Sequence, residues 1–129
     1  MANWRFLNYC TEEGRNLFRE WYEEQDAAVQ AEIDTIIIVL RATLDWKGRK
    51  DCLPLKKRHA GLWEVRFTVN KIRYRPVGFF GPKSGEFTLL LGCSKKIRGA
   101  YTPPNAFDKA LELLKSFREA GKGRVCDHD

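Results

Sequence analysis

Four cationic side chains lie along residues 64–77, EVRFTVNKIRYRPV, where alternating apolar and polar residues predict a β-hairpin. They are Arg66, Lys71, Arg73 and Arg75. Because side chains alternate between the two faces of a strand, a turn at Asn70-Lys71 would set Arg66 opposite Arg75. Like charges paired in this way cost up to about 1 kcal/mol. The hairpin therefore predicts either an anion-binding surface or a solvated face eased by the carboxylate of Glu64.

Positive charge is concentrated in the middle of the chain. Residues 47–101 contain 14 Lys/Arg and 3 Asp/Glu, whereas residues 1–46 contain 4 and 9, and residues 102–129 contain 5 of each. A basic segment with aromatic residues among its charges is typical of proteins that bind polyanions such as nucleic acids. The aromatic residues of this segment that we consider are Trp63, Phe67, Tyr74 and Tyr101. The alternative is a surface whose lysines and arginines only provide solubility.

The composition indicates one globular domain over 1–129, with a core over about 4–119 and a flexible tail over 120–129. A chain of 129 residues with 43% hydrophobic residues can bury a core without metals or disulfides. The four cysteines form no CxxC pair, and the first ten residues lack the features of a signal peptide, which favours the cytoplasm. The apolar run at 36–40 is too short to span a bilayer, so we expect no membrane role.

Two helices are predicted before the basic segment. Residues 4–9 favour a short first strand, and Thr11 could cap a helix over 12–24. Asp26 could cap a second helix, whose apolar residues recur at helical spacing. These apolar residues are Val29, Ile33, Ile36, Ile37, Leu40 and Leu44.

Four strands and a last helix are predicted after residue 50. The strand-like runs occupy 52–56, 62–69, 72–80 and 86–93. Pro76 cannot donate to a ladder, so we expect a bulge or break there. Asn105 as an N-cap, with Asp108 three residues later, predicts a helix over about 106–119. This order predicts an α+β domain with its helices on one face of a mostly antiparallel, four-stranded sheet.

Several short motifs follow one another in a distinctive order. A Leu-Trp-Glu-Val-Arg run precedes a Tyr-Arg pair, a Lys-Lys pair ends the next strand, and a proline precedes the last helix. The residues concerned are Leu62, Trp63, Glu64, Val65, Arg66, Tyr74, Arg75, Lys95, Lys96 and Pro103. Over about residues 4–119 this pattern resembles the RelE/ParE toxin superfamily, and more closely its HigB-like, phage-derived branch.

The resemblance implies a RelE-like fold and a bacterial toxin of a type II toxin–antitoxin pair. Such a toxin cleaves mRNA on the ribosome, by attack of a ribose 2′-OH on the neighbouring phosphate, with neither metal nor cofactor. The implied partners are a cognate antitoxin, expected to be a small helix-turn-helix protein, and the ribosome with its mRNA. The alternatives are a binding toxin on the same fold, such as a ParE-like gyrase poison, or an inactive prophage-derived RNA-binding protein.

The resemblance also implies roles for individual cations. Arg75 would hold the scissile phosphate with two hydrogen bonds, and Lys95 and Lys96 would add charge from the adjacent strand. Arg66 would position the substrate or hold the hairpin. Other RNA contacts are expected from Lys56, Lys57, Arg58, His59, Arg73 and Arg98.

The sequence does not decide which residues are the general base and the general acid. Well-known RelE proteins have lysines just before the Leu-Arg motif, where this chain has Leu62 and Glu64. Glu64 could act as the base or only pair with Arg66, and His59 could transfer a proton near neutral pH or lie in an exposed loop. Tyr101 could stack on a base, donate a proton or pack under the last helix.

Overall fold

The structure is a computed structural model that describes residues 4–96 and 98–128, so the ends of the predicted domain, at 1 and 129, lie outside it. The described chain forms three helices: α1 (Leu17–Glu23), α2 (Ala27–Arg41) and α3 (Ala106–Ala120). Its eight strands are β1 (Arg5–Cys10), β2 (Cys52–Pro54), β3 (Trp63–Val65), β4 (Phe67–Val69), β5 (Ile72–Phe80), β6 (Glu86–Lys96), β7 (Tyr101–Thr102) and β8 (Arg124–Asp127). The predicted α+β class is confirmed.

The described strands form one mixed sheet, in the order β2-β3-β5-β6-β1-β8. β4 also pairs with β5, and β7 with β6. β1 runs parallel to β6, whereas the other pairs are antiparallel. The predicted four-stranded sheet is wrong because β1 and β8 join the sheet, the run over 62–69 divides into two strands, and β7 pairs with β6 as a further strand.

α2 covers one face of the sheet, as its apolar period predicts. At its start, Asp26 accepts a hydrogen bond from the Val29 N–H at 3.0 Å. The buried apolar residues of this helix are Val29, Ile33, Ile37 and Leu40. Leu44, predicted in the same stripe, lies beyond the end of the helix and is 77% exposed. Truncating one of the buried residues to alanine would cost about 1–5 kcal/mol.

α1 begins later than predicted. The side chain of Asn16, rather than that of Thr11, caps this helix by accepting a hydrogen bond from the Arg19 N–H at 3.0 Å. Thr11 Oγ1 instead accepts a hydrogen bond from the Arg15 N–H at 3.1 Å. The residues from Thr11 to Arg15 therefore form a turn before the helix.

α3 covers the opposite face, so the prediction that the helices share one face is wrong. Phe6 and Tyr9 of β1 are three residues apart and therefore point to opposite faces. Phe6 belongs to the core cluster that contains the α2 residues, and Tyr9 to the cluster that contains the α3 residues. The run at 87–91 in β6, apolar except for Thr88, is buried throughout, as expected for a strand covered on both faces.

Pro76 lies at an interruption of the sheet, and the predicted bulge or break is confirmed. β3 and β4 pair with β5 on either side of residues 75–76. Because proline has no N–H to donate, a gap in the ladder at this position loses few hydrogen bonds. On the other side of β5, the register with β6 shifts between Val77 and Gly78, and Leu90 is the extra residue.

Both ends of α3 differ from the prediction. Asn105 precedes the helix with φ of 58°, and in the described chain its side chain makes no capping hydrogen bond. Beyond the helix, Asn8 of β1 lies opposite Cys126 of β8 in an antiparallel ladder. The segment over 120–129, predicted to be a flexible tail, therefore contains a strand of the sheet. Within the described residues, none of the helices is long and apolar enough to cross a membrane.

Candidate nucleic-acid interface

A positively charged cleft of about 290 Å³ lies at one end of the β5–β6 pair. Its described lining residues are Thr68, Lys71, Arg73, Arg75, Lys95, Lys96 and Arg98. Six of these seven side chains are cationic and none is acidic, so the cleft favours a negatively charged ligand. The fold therefore brings together five residues that the sequence singled out for phosphate contact: Arg73, Arg75, Lys95, Lys96 and Arg98.

The register across three strands sets one row of this site. Arg73 of β5 lies opposite Lys95 of β6, and Lys95 lies opposite Tyr101 of β7. Residues paired directly across a sheet project from the same face, about 5 Å apart. Lys95 Nζ lies 5.1 Å from the centre of the Tyr101 ring, within range of a cation–π interaction. The row thus presents two cations beside an aromatic hydroxyl.

Arg75 is the buried member of the cleft, at 9% exposed. Its Nη1 donates to Glu64 Oε2 at 3.1 Å and to the Tyr101 hydroxyl at 2.8 Å. Its Nε is buried and has no hydrogen-bond partner among the described residues. A buried N–H left unpaired costs about 1–3 kcal/mol, so the buried guanidinium has unused hydrogen-bonding capacity.

Glu64 lies between two arginines, which favours the charge-partner alternative over the general base. Its Oε2 accepts from Arg75, and its Oε1 lies 3.7 Å from Arg66 Nε. The carboxylate side chain is only 6% exposed. A base engaged on both oxygens and buried to this extent has little access to a ribose hydroxyl, so its catalytic role stays a prediction.

Arg66 does not lie in a ladder opposite Arg75, and that prediction is wrong. The chain leaves the sheet at this residue, whose N–H donates to the Asp51 carbonyl at 2.8 Å. Its Nη2 donates to the Lys50 carbonyl at 3.3 Å. Arg66 is not among the described lining residues of the cleft, so the geometry favours its holding the hairpin over contacting the substrate.

His59 lies at the end of a short 3-10 helix (Lys57–His59) and is bonded to α3. Its Nε2 lies 2.7 Å from Asp108 Oδ1, the residue that was predicted to help cap α3. The hydrogen bond from His59 and the nearby Arg58 hold the pKa of Asp108 below its usual range. The side chain of His59 is 17% exposed, so the alternative of a freely exposed loop residue is wrong.

A single phenylalanine connects this histidine to the cleft. The ring of Phe107 lies 5.7 Å from that of His59 and 5.1 Å from that of Tyr101, between ring centres. Tyr101 in turn contacts Arg75 and Lys95. His59 is therefore a neighbour of the site, separated from Tyr101 by one apolar side chain.

The remaining predicted contacts lie apart from the cleft. Lys56, Lys57 and Arg58 are exposed around the 3-10 helix, and Arg58 Nη2 lies 3.4 Å from Asp108. Of the four aromatic residues noted in the basic segment, three pack against the core that contains α2: Trp63, Phe67 and Tyr74. Of these four, Tyr101 is the one that contacts cations of the cleft, Arg75 and Lys95, within the described part of the chain.

Lys71, one of the four cations of the predicted hairpin, also lines the cleft, together with the uncharged Thr68, which was not predicted as a site residue. Both Asn70 and Lys71 have positive φ, of 51° and 66°, which closes a tight hairpin turn. Thr68 lies opposite Arg73 across that hairpin. The turn predicted at Asn70-Lys71 therefore places Thr68 and Lys71 beside Arg73.

A buried thiol lies beneath the cleft but is not suited to act as a nucleophile. Cys93 lies opposite Arg75 and donates a weak hydrogen bond to its carbonyl at 3.6 Å. Burial raises the pKa of the Cys93 thiol to about 12. The thiol is therefore neutral near pH 7 and acts as a packing residue.

The described residues contain no metal-binding cluster, and known proteins give no further information about the cleft. Among the described residues, no group of three or more His, Cys, Asp or Glu side chains could hold a metal ion. Comparisons with protein-family models, curated proteins and solved structures gave no match. The geometry of the cleft is therefore the basis for the proposal that follows.

Proposed function

We propose that this protein is an endoribonuclease toxin of a toxin–antitoxin pair that cleaves mRNA on the ribosome. The observation that carries the proposal is the cleft lined by six cations, with Arg75 bonded to the hydroxyl of Tyr101. Such a site suits a phosphodiester because it supplies fixed positive charge where the transition state gains negative charge. The proposal includes a helix-turn-helix antitoxin and the ribosome as partners.

The proposed reaction is an attack by a ribose 2′-oxygen on its neighbouring phosphorus. The 2′-O–P bond forms, the P–O5′ bond breaks, and the products are a 2′,3′-cyclic phosphate and a 5′-hydroxyl. The 2′-OH loses a proton and the leaving 5′-oxygen gains one. In this scheme Arg75 and Lys95 stabilise the charged phosphorane.

Tyr101 is the proton donor that the geometry favours. Its hydroxyl lies 2.8 Å from Arg75 Nη1, and its ring lies against Lys95, so the phenol adjoins the groups proposed to hold the phosphate. We assign the base to His59, a neighbour of the site beyond Phe107, because Glu64 is committed to two arginines. Asp108 would orient the imidazole and stabilise its protonated form, as carboxylates do in other acid–base pairs.

The test is cleavage of an mRNA positioned on purified ribosomes, with new 5′ ends mapped by primer extension. We expect cuts within the decoding site for the unaltered protein and a loss of about 10²-fold for Lys95→Ala. The matched control is Lys115→Ala, which removes an exposed lysine of α3 outside the cleft. Absence of cleavage by the folded protein, on ribosomes and on free RNA alike, would contradict the proposal.

Three variants separate the proton-transfer roles. Tyr101→Phe should leave RNA binding intact while slowing cleavage about 10²-fold, since only the hydroxyl is lost. His59→Asn should slow cleavage while leaving RNA binding intact, whereas Glu64→Gln should act mainly through the position of Arg75. If His59→Asn cleaves as fast as the unaltered protein, the base is not His59.

A binding function without cleavage is the second candidate, and the Glu64–Arg75 contact favours it. A carboxylate that already occupies Arg75 lowers the net charge available to a phosphate. On this alternative, the cleft would bind RNA without cutting it, or the protein would act as a gyrase poison. Intact mRNA together with inhibited DNA supercoiling by gyrase would select the gyrase function, and RNA binding alone would select the silent binder.

A further inference from the structure

Two thiols face each other between the first and the last strand of the sheet. Cys10 Sγ of β1 lies 3.3 Å from Cys126 Sγ of β8. In the ladder Cys10 lies opposite Arg124, and Cys126 lies opposite Asn8, so the two cysteines form a diagonal pair on one face. The twist of a sheet brings one of the two diagonals closer, and the contact between the sulfurs identifies this one.

We propose that Cys10 and Cys126 are a site of reversible oxidation, at which a peroxide converts the two thiols into a disulfide. This modification is independent of the cleft and does not rest on the proposed ribonuclease activity.

The surroundings of the pair favour bond formation. A disulfide needs the sulfurs at about 2.05 Å, so they must approach by little more than 1 Å. β8 is an edge strand of four residues and pairs in the described sheet with β1 alone, so it can make this adjustment. Contacts such as the 2.6 Å ion pair of Arg5 with Asp127 keep the strand in place.

The two cysteines differ in access, which sets the order of the steps. Cys126 is partly exposed, whereas Cys10 is 4% exposed, and burial raises the pKa of the Cys10 thiol. Cys126 is therefore the residue that meets the oxidant, and Cys10 is the resolving thiol that attacks it.

The reaction balances with hydrogen peroxide as the oxidant. The sulfur of Cys126 attacks one peroxide oxygen, the O–O bond breaks, and hydroxide leaves and takes up the thiol proton as water. The sulfur of Cys10 then attacks the resulting sulfenic acid, the S–O bond breaks, and a second hydroxide leaves with the Cys10 proton. The thiols lose two electrons and two protons, and the peroxide becomes two waters.

The test uses the purified full chain, reduced and then treated with hydrogen peroxide. We expect the intact mass to fall by about 2 Da, the mass of the two hydrogens lost. Trypsin should then release the segments 6–15 and 125–129 as one linked species, which a reductant separates. The melting temperature should rise on the order of 10 °C, because the bond closes a loop of more than one hundred residues.

Two variants complete the experiment. Cys126→Ser should abolish the cross-link, whereas Cys93→Ala should keep it, because Cys93 is buried in the core next to Arg75. An unchanged mass, a gain of oxygen without a cross-link, a link between two chains or a link that includes Cys52 or Cys93 would each overturn the proposal. Mapping of the unaltered protein decides the matter even if a variant fails to fold.

Discussion

Arg75 Nη1 donates a hydrogen bond to Glu64 Oε2 at 3.1 Å, and their side chains are only 11% and 6% exposed. Removing one member of a buried ion pair leaves the other charge without compensation, at a cost of about 3–5 kcal/mol. The contact thus fixes the guanidinium beside Tyr101 and makes Arg75 part of the stability of the fold. If mutation of Arg75 abolishes activity, the free energy of unfolding of the variant must therefore be measured as well, to separate a loss of function from a loss of folded protein.

Arg75→Ala should lower the free energy of unfolding by about 3 kcal/mol and abolish cleavage, because Glu64 stays buried without its main partner. Neutralising both members, with Glu64→Gln and Arg75→Gln together, should recover part of the stability and none of the activity. Urea unfolding and the ribosome cleavage assay provide the two readouts. An Arg75→Ala protein as stable as the unaltered one would show that the Glu64–Arg75 pair contributes no net stability.

The affinity for a short RNA should fall steeply as salt rises, because phosphate contacts release counterions. Arg73→Ala and Lys95→Ala should each reduce the slope of log K against log salt by about 1. Lys57→Ala tests whether the RNA extends to the 3-10 helix, and Lys115→Ala should leave the slope unchanged. Fluorescence anisotropy over a salt series measures these slopes, and a flat affinity would remove the polyanion-binding interpretation.

The fold should lose stability at alkaline pH because of its buried thiols. Burial raises the pKa of Cys52 and of Cys93 to about 12. A group whose pKa is higher in the folded state stabilises the fold fully below its unfolded pKa, which lies near 8.5–9 for a thiol. Above that pH, each thiol should reduce the free energy of unfolding by about 1.4 kcal/mol per pH unit until pH approaches 12.

Urea titrations from pH 8 to 10.5 test this thiol effect. Tyrosine ionisation contributes to both proteins, so the readout is the difference between the unaltered chain and Cys93→Ala. The variant should be less stable at pH 8 but lose less stability as the pH rises. If the stabilities of the two proteins changed in parallel with pH, the pKa of the Cys93 thiol would be the same in the folded and unfolded states, and the prediction would fail.

Two glycines with the same φ test the docking of the last strand. Gly123 and Gly48 both have φ of +82°, where an alanine is strained by about 1 kcal/mol. A Cβ at Gly123 would also meet the Tyr9 hydroxyl and the Cys10 carbonyl, whereas one at Gly48 meets nothing within 4 Å. Gly123→Ala should therefore cost about 2 kcal/mol more than Gly48→Ala.

Thermal unfolding of the two glycine variants provides the comparison. Equal losses of stability would indicate that residues 124–127 do not pack on β1 in solution. The flexible tail predicted from the sequence would then be correct. A larger loss for Gly123→Ala supports the paired strand.

Local signals in the sequence were sufficient for some elements. The helical period from Val29 to Leu40 and the cap at Asp26 predicted α2, and the run over 72–80 matches β5. The hairpin register also placed Arg73 and Arg75 on one face. Each of these features depends on residues that are close in the chain.

Features that depend on distant residues were not predictable in this way. β8 has no period of its own, and its partner β1 lies more than one hundred residues away. The contacts of Tyr101 with Arg75 and of His59 with Asp108 likewise need β7 and α3 to be in place. A single sequence carries little signal for pairings between such distant residues.

The order of the sheet also constrains when a newly made chain can fold. β1 lies between β6 and β8, so both of its neighbours in the sheet are translated long after it. Contacts between residues so far apart cannot form until the later strands have left the ribosome. A nascent chain that has not yet exposed β6 and β8 therefore lacks the finished sheet, and both edges of β1 stay unpaired until those strands emerge.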